Sequence, residues 1–231
     1  MVNKNLKPTY REIKRYSSKK RDDIFMYLYR ILLTFHITKY LVRTNITPTT
    51  LTIISFILSL IAATFFLFGE YGYLIWGVIL MQLSFILDCV DGEVARFKGL
   101  VSDFGAWFDT ATDGVMLAII FTTLSIGQYN ISKNPSIFIV ALTSSVVLFG
   151  ISNVLISGEW MAKYNEKIKK HREINLSRKF YIGFYTPTLL LITFGILFNQ
   201  IFNALLIFSV VGFFAAIKLF YNRYKLLTKT R

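Results

Sequence analysis

Six runs of about 20 apolar residues fill most of this 231-residue chain, and a helix of that length crosses the hydrocarbon core of a bilayer. The runs predict spanning helices over residues 48–68, 73–95, 104–126, 135–157, 180–198 and 201–221. Turn-forming residues separate them: Gly69-Glu70-Tyr71-Gly72, the stretch from Gly127 to Pro135, and Asn199-Gln200. Gly183 and Pro187 lie within the fifth run and are tolerated in a span, with a kink expected at the proline.

Charge sets the orientation. Residues 1–47 carry 11 Lys/Arg, the loop 158–179 carries seven, and the tail from Lys218 carries five. Arg96 and Lys98 join them, so every basic residue except Lys133 falls on one side of a six-span arrangement. The positive-inside rule then puts both termini in the cytoplasm of a multi-pass cell-membrane protein. The net charge of +13 alone would also suit a nucleic-acid binder. The apolar runs favour membrane lipids as the partner and no nucleic acid. A 54% hydrophobic composition excludes a disordered chain. One cysteine, Cys89, excludes an intramolecular disulfide, and two histidines, His36 and His171, leave little for histidine-based metal or triad chemistry. The polar, basic N-terminus lacks the features of a signal peptide.

Residues 24–44 are apolar but broken by charge. His36, Lys39 and Arg43 share a helical face, with Arg30 roughly opposite. A helix lying in the cytoplasmic interface is expected. The fold class is therefore an all-α integral membrane protein: an N-terminal arm with an interfacial amphipathic helix (1–47), six transmembrane helices (48–221) and a basic tail (222–231).

Six of the 13 acidic residues lie between positions 88 and 113. Intramembrane carboxylates cost roughly 2.5–3.5 kcal/mol each, so they call for a cation or a function. Asp88, Asp91, Gly92, Ala95, Arg96 and Gly99 follow helical spacing on one face of the second span. Ser102, Gly105, Ala106, Asp109 and Asp113 share a face of the third. Glu93 and Asp103 fall off these faces and are set aside as ligands. Asp88 and Asp109 stand about 10–12 Å from the connection between the spans, so a hairpin brings the two faces together at one depth. Four converging carboxylates repel unless cations neutralise them, and all-oxygen ligation suits Mg²⁺ or Mn²⁺. Two such ions form a clamp for phosphoryl displacement. The small residues admit a phosphate-bearing ligand close to the backbone. Arg96 suits a phosphate, with a snorkelling interfacial arginine as the alternative.

The pattern Asp88-x2-Asp91-Gly92-x2-Ala95-Arg96-x8-Gly105-x3-Asp109-x3-Asp113 resembles the signature of the CDP-alcohol phosphotransferase family, with all eight fixed positions filled. Thr47-Pro48-Thr49-Thr50-Leu51-Thr52 resembles that family's entry to its first span, with Thr49 where many members have Asn. The resemblance implies transfer of a phosphoalcohol group from a CDP-alcohol to an acceptor hydroxyl with release of CMP, in phospholipid biosynthesis, by a homodimer. It implies that Asp88, Asp91, Asp109 and Asp113 hold two Mg²⁺ or Mn²⁺ ions and that Asp113 is the general base. Gly92, Ala95, Arg96, Ser102, Gly105, Thr49 and Thr52 would then line the CDP-alcohol site. Arg178, Lys163 and Lys218 are candidates for a phosphate on the acceptor, such as inositol phosphate or glycerol phosphate. Leu6-Lys7-Pro8-Thr9 and residues 41–56 resemble archaeal inositol-phosphate-transferring members, whereas Gly114 stands where many lipid-head-group members have Arg. The donor is expected to carry a phosphatidyl or archaeal ether-lipid group. A CDP-inositol:inositol-phosphate transferase making a soluble phosphodiester is an alternative. A divalent-cation transporter is a reading from another class.

Overall fold

The computed structural model describes residues 8–17, 22–148, 180–181 and 185–228. The end of the expected fourth span and Lys163, His171, Arg178 and Gly183 lie outside them.

The N-terminal arm begins with α1 (Tyr10–Ser17). A capping box starts it: Thr9 N–H donates to Glu12 Oε2 at 2.7 Å, and Glu12 N–H donates back to Thr9 Oγ1 at 3.3 Å. Those bonds stabilise the ionised Glu12 and hold its pKa below the ordinary 4.5. A two-residue strand, β1 (Asp22–Asp23), precedes α2 (Ile24–Tyr29). A π-helical turn (Arg30–Thr34) connects α2 to α3 (Phe35–Leu41). The stretch read as apolar but broken by charge is therefore helical. Arg30, Thr34 and Thr38, four residues apart, form its buried side, while His36 and Arg43 are exposed.

α4 (Pro48–Phe68) has the expected bounds. Thr47 caps it by accepting from Thr50 N–H at 3.2 Å, Pro48 fills the first turn, where no amide is needed, and Gly69 ends it at φ 73°. α5 (Tyr71–Lys98) and α6 (Asp103–Ser132) run past their apolar stretches, because a helix ends where a cap appears rather than where polarity begins. For α5 that cap is a Schellman motif: Leu100 N–H reaches Ala95 O at 2.8 Å, Gly99 N–H reaches Arg96 O at 3.3 Å, and Gly99 has φ 67°. Ser102 then caps α6 by accepting from Gly105 N–H at 3.0 Å. The connection is short, so α5 and α6 form a hairpin.

α7 (Ser136–Leu148) follows, and β2 (Phe180–Tyr181) pairs in parallel with β1. α8 is Tyr185–Leu197, and residues 180–181, where the expected 180–198 span begins, are strand. α9 (Ile201–Thr228) continues beyond the expected residue 221. α4, α5, α6 and α9 are each long and apolar enough to cross a membrane, while α7 and α8 are shorter apolar helices.

Packing among the helices combines an apolar core with close small-residue contacts. Phe66, Phe85, Phe121, Leu189 and Leu205 belong to one buried cluster. α4 and α6 approach so closely that a Cβ on Gly127 would lie 2.0 Å from Phe66 O. Hydroxyls and amides stitch other pairs: Ser144 and Ser209 stand 2.7 Å apart between α7 and α9, and Gln82 Nε2 donates to Thr193 Oγ1 at 2.7 Å between α5 and α8. A second cluster of Ile13, Phe35, Val42, Leu51, Val90 and Val94 joins the arm to α4 and the end of α5. Outside, large apolar residues such as Trp76, Ile139, Leu142 and Phe214 are exposed on several helices, as a lipid-facing surface requires.

Candidate active site

The hairpin of α5 and α6 brings carboxylates from both helices together. Asp88, Asp91 and Asp109 each offer an oxygen, and these atoms lie within 4.8 Å of one another. Oxygens this close together could hold one hard divalent ion between them. Oxygen-only donors of like charge, half-buried to buried, fit a hard divalent cation. The Thr52 hydroxyl, on α4, donates to Asp91 Oδ2. Thr52 thus orients a carboxylate of this cluster as well as facing the site.

Asp113 lies one turn along α6 from Asp109 and lines a small cavity with Asp88. Ser55 and Ser59 of α4, Ser84 of α5, Thr112 of α6 and Tyr185 of α8 complete its polar wall. The serines form a chain in which Ser84 Oγ donates to Ser55 O at 2.7 Å and the Ser59 and Ser84 hydroxyls stand 2.5 Å apart. Tyr185 is a side-chain hydrogen-bond partner of Asp113. Its ring sits 5.9 Å from that of Phe85, centroid to centroid.

The remaining sequence-predicted residues are distributed as follows. Ala95 and Gly92 share the Asp88 face, and the Arg96 guanidinium folds over Gly92: a Cβ there would stand 3.1 Å from Arg96 Nη1. Arg96 Nε donates to Ser17 O, at the end of α1, at 2.5 Å. Ser102 is the α6 cap, and Gly105 leaves room for it, since a Cβ would meet Ser102 Oγ at 3.1 Å. Thr49 and Lys218 are exposed. Glu93, set aside as a ligand, is fully buried on another side of α5, where it accepts from Thr34 Oγ1 at 2.5 Å and Thr38 Oγ1 at 2.6 Å. Nothing in the sequence pattern marks Tyr185 or the Ser17 carbonyl. A tyrosine among 13 has no spacing to mark it, and a backbone oxygen leaves no residue-type signal.

Residues 45–217 match the CDP-alcohol phosphatidyltransferase family, and the chain belongs to that family. An archaetidylinositol phosphate synthase of Pyrococcus horikoshii is 37% identical over 91 residues, 39% of this chain and 47% of that protein. A phosphatidylinositol phosphate synthase of Corynebacterium glutamicum is 30% identical over 89 residues, 38% of this chain and 40% of that protein. A protein of Aquifex aeolicus named bifunctional IPC transferase and DIPP synthase is 39% identical over 77 residues, 33% of this chain and 17% of that protein. The matched stretches thus span less than half the length of these curated relatives. The fold is that of the Mycobacterium tuberculosis phosphatidylinositol phosphate synthase solved with CDP-DAG bound, at a TM-score of 0.65 and 19% identity over 82% of this chain and 92% of that one. The same enzyme solved with manganese and citrate superposes at 0.64, with 18% identity over 82% and 88%.

Proposed function

We propose that the protein is a membrane-embedded, divalent-metal-dependent transferase that moves a phosphoalcohol group from a CDP-alcohol to an acceptor hydroxyl and releases CMP. The convergence of Asp88, Asp91 and Asp109 from two helices carries this reading. Family membership supports it. In this reading Asp88, Asp91, Asp109 and Asp113 hold two Mg²⁺ or Mn²⁺ ions. Bound divalent ions draw charge from the diphosphate and from the departing CMP oxygen.

The chain's own residues do the rest. Asp113, ionised, takes the proton from the acceptor hydroxyl. The acceptor oxygen forms a new bond to the transferred phosphorus as the bond to CMP breaks. Arg96 binds a donor phosphate, and Gly92, Ala95 and Gly105 admit the nucleotide beside the backbone. Thr49, Thr52 and Ser102 line its entry. No covalent enzyme intermediate is needed.

The names of the Pyrococcus and Corynebacterium relatives support a lipid donor and inositol phosphate as acceptor. Arg178, Lys163 and Lys218 are the candidates for the acceptor's phosphate. In this reading the chain crosses the membrane six times, α7 and α8 supplying the two shorter spans, with both termini and the site on the cytoplasmic side. α2 and α3 then lie in the interface, residues 1–47 form the cytoplasmic arm and 222–231 the tail, and the enzyme works as a homodimer.

Purified protein incubated with CDP-diacylglycerol or an ether-lipid analogue, Mg²⁺ or Mn²⁺ and a panel of acceptors should release CMP with inositol phosphate. The labelled product should partition into organic solvent. No release with any pairing, or full activity in Asp113→Asn, refutes the reading. A water-soluble product refutes the lipid donor.

A further inference from the structure

Arg96 occupies a seam. At about 100° per residue around α5, with Asp88 at zero, Asp91 falls near −60°, Gly92 near +40°, Arg96 near +80° and Glu93 near +140°. The aspartates face α6, while Glu93 faces the N-terminal arm, accepting from Thr34 and Thr38 and standing 3.7 Å from Arg30 Nη1. Arg96 lies between these two sides and touches both. Its terminal nitrogens pack over Gly92, and its Nε donates to the Ser17 carbonyl. Ser17 is fully buried and ends α1, where the helix dipole turns its negative end toward a cation.

Further contacts hold the arm in that place. Ile13, Phe35, Val90 and Val94 share one buried cluster. Lys98 Nζ donates to Thr44 O at 2.8 Å and to Ile46 O at 2.9 Å. The Tyr16 and Phe97 rings meet edge to face at 6.2 Å.

We propose that the N-terminal arm is a working part of the donor site: latched to α5 through Glu93, it offers the Ser17 carbonyl as a fixed acceptor that holds the Arg96 guanidinium over Gly92, in position for a phosphate of the donor. The inference rests on the functional reading above, in which Arg96 serves the CDP-alcohol. A guanidinium on a long side chain loses rotational freedom when it binds. Anchoring Nε from the arm removes part of that loss in advance. Glu93 acts as a positioning residue, through the arm, and touches no reacting atom.

The test measures CDP-diacylglycerol binding and turnover in mixed micelles with Mn²⁺, for the whole protein and for Thr34→Val/Thr38→Val, which removes two latch hydrogen bonds at nearly constant volume. Donor Kd and KM should rise about tenfold, the worth of one charge-assisted hydrogen bond, with kcat at saturation within about threefold and Mn²⁺ affinity measured by EPR unchanged. Glu93→Gln, which keeps an acceptor for one threonine, should fall between the wild type and the double variant. It also serves if the double variant unfolds. A latch variant that melts earlier yet binds the donor as tightly as the wild type overturns the proposal. So does a loss confined to kcat. Wild-type protein that binds neither CDP-diacylglycerol nor its ether-lipid analogue refutes the functional reading and this inference together, whereas wild-type binding that the latch variants leave unaltered refutes this inference alone.

Discussion

Arg30 Nη1 stands 3.7 Å from Glu93 Oε1, and neither side chain is more than 1% exposed. Two charges this deeply buried are held by each other and by the Thr34 and Thr38 hydroxyls. Such a pair adds little stability over apolar residues of the same shape, but removing one member strands the other. Glu93→Ala is therefore expected to cost about 3–5 kcal/mol, whereas Arg30→Met/Glu93→Leu recovers most of that loss. Thermal unfolding of the three proteins in one detergent checks it. Equal losses in the single and double variants would show that the pair is not the source.

The same two residues mark how far the sequence could be read. Arg30 spoils the amphipathic face of the 24–44 stretch, and Glu93 falls off the carboxylate face of α5, so each looks anomalous on its own helix. The reason is tertiary: each is the other's partner, and periodicity within one helix cannot show a contact between two. Where a local signal sets the structure, the sequence is explicit. Thr47-Pro48 and Gly69 bound α4 as expected, and the aspartate spacing brings Asp88, Asp91 and Asp109 together. Ser102 adds a structural role to the one its position suggested, since its hydroxyl caps α6. The strand at residues 180–181 depends on β1, far away in the chain, and no local pattern announces it.

Gly69 and Gly127 let α4 and α6 touch. A Cβ on Gly69 would lie 2.1 Å from Gly127 O, at a residue with φ 73° that already excludes most side chains. Gly127→Ala puts a methyl group 2.0 Å from Phe66 O, and backbone cannot yield as a flexible side chain can. The expected cost is at least about 2–3 kcal/mol. Gly72→Ala, in open space at the start of α5, is the control and should be neutral or slightly stabilising. Unfolding in one detergent compares the two; equal effects would mean that the helix contact is not tight.

Acid should loosen the arm at α1. The Thr9 bonds lower the Glu12 pKa below 4.5 in the folded state. A depressed carboxylate contributes its stability above the unfolded value and loses it as pH falls through the folded one. Amide exchange across residues 10–17 should therefore be independent of Glu12 ionisation near neutrality and gain an extra acceleration below about pH 4.5. Glu12→Gln should remove that step. An acceleration of the same size and midpoint in the variant would assign it to another group.

Asp88, Asp91 and Asp109 should act as one binding unit for the divalent ion. Chelation by EDTA should abolish CMP release, and Mn²⁺ should restore it. Asp109→Asn, replacing a charged ligand with a neutral one, should weaken Mn²⁺ binding measured by EPR by roughly 10–100-fold, the scale seen when metal-site partners are altered. Wild-type Mn²⁺ affinity in Asp109→Asn would separate α6 from the metal site and leave the α5 carboxylates to bind the ion alone.

Tyr185 reaches the site from a helix that carries none of the motif. Its register is set at a distance, by Gln82 Nε2 donating to Thr193 Oγ1 and by Tyr71 Oη donating to Leu197 O. That leaves its ring against Phe85 and its hydroxyl on Asp113, the proposed base. A phenol bonded to a carboxylate fixes the direction in which the carboxylate's lone pairs point, and proton transfer demands that alignment. Tyr185→Phe keeps the ring packing and deletes only the hydroxyl. Its kcat should fall about tenfold, the worth of one hydrogen bond to a charged group, with the donor KM and the melting temperature little changed. Tyr10→Phe supplies the comparison: its hydroxyl donates to Ile31 O at 3.4 Å, within the N-terminal arm, and its loss should leave kcat alone. If the two variants behave alike in kcat, Tyr185 supports the fold and does not align the base.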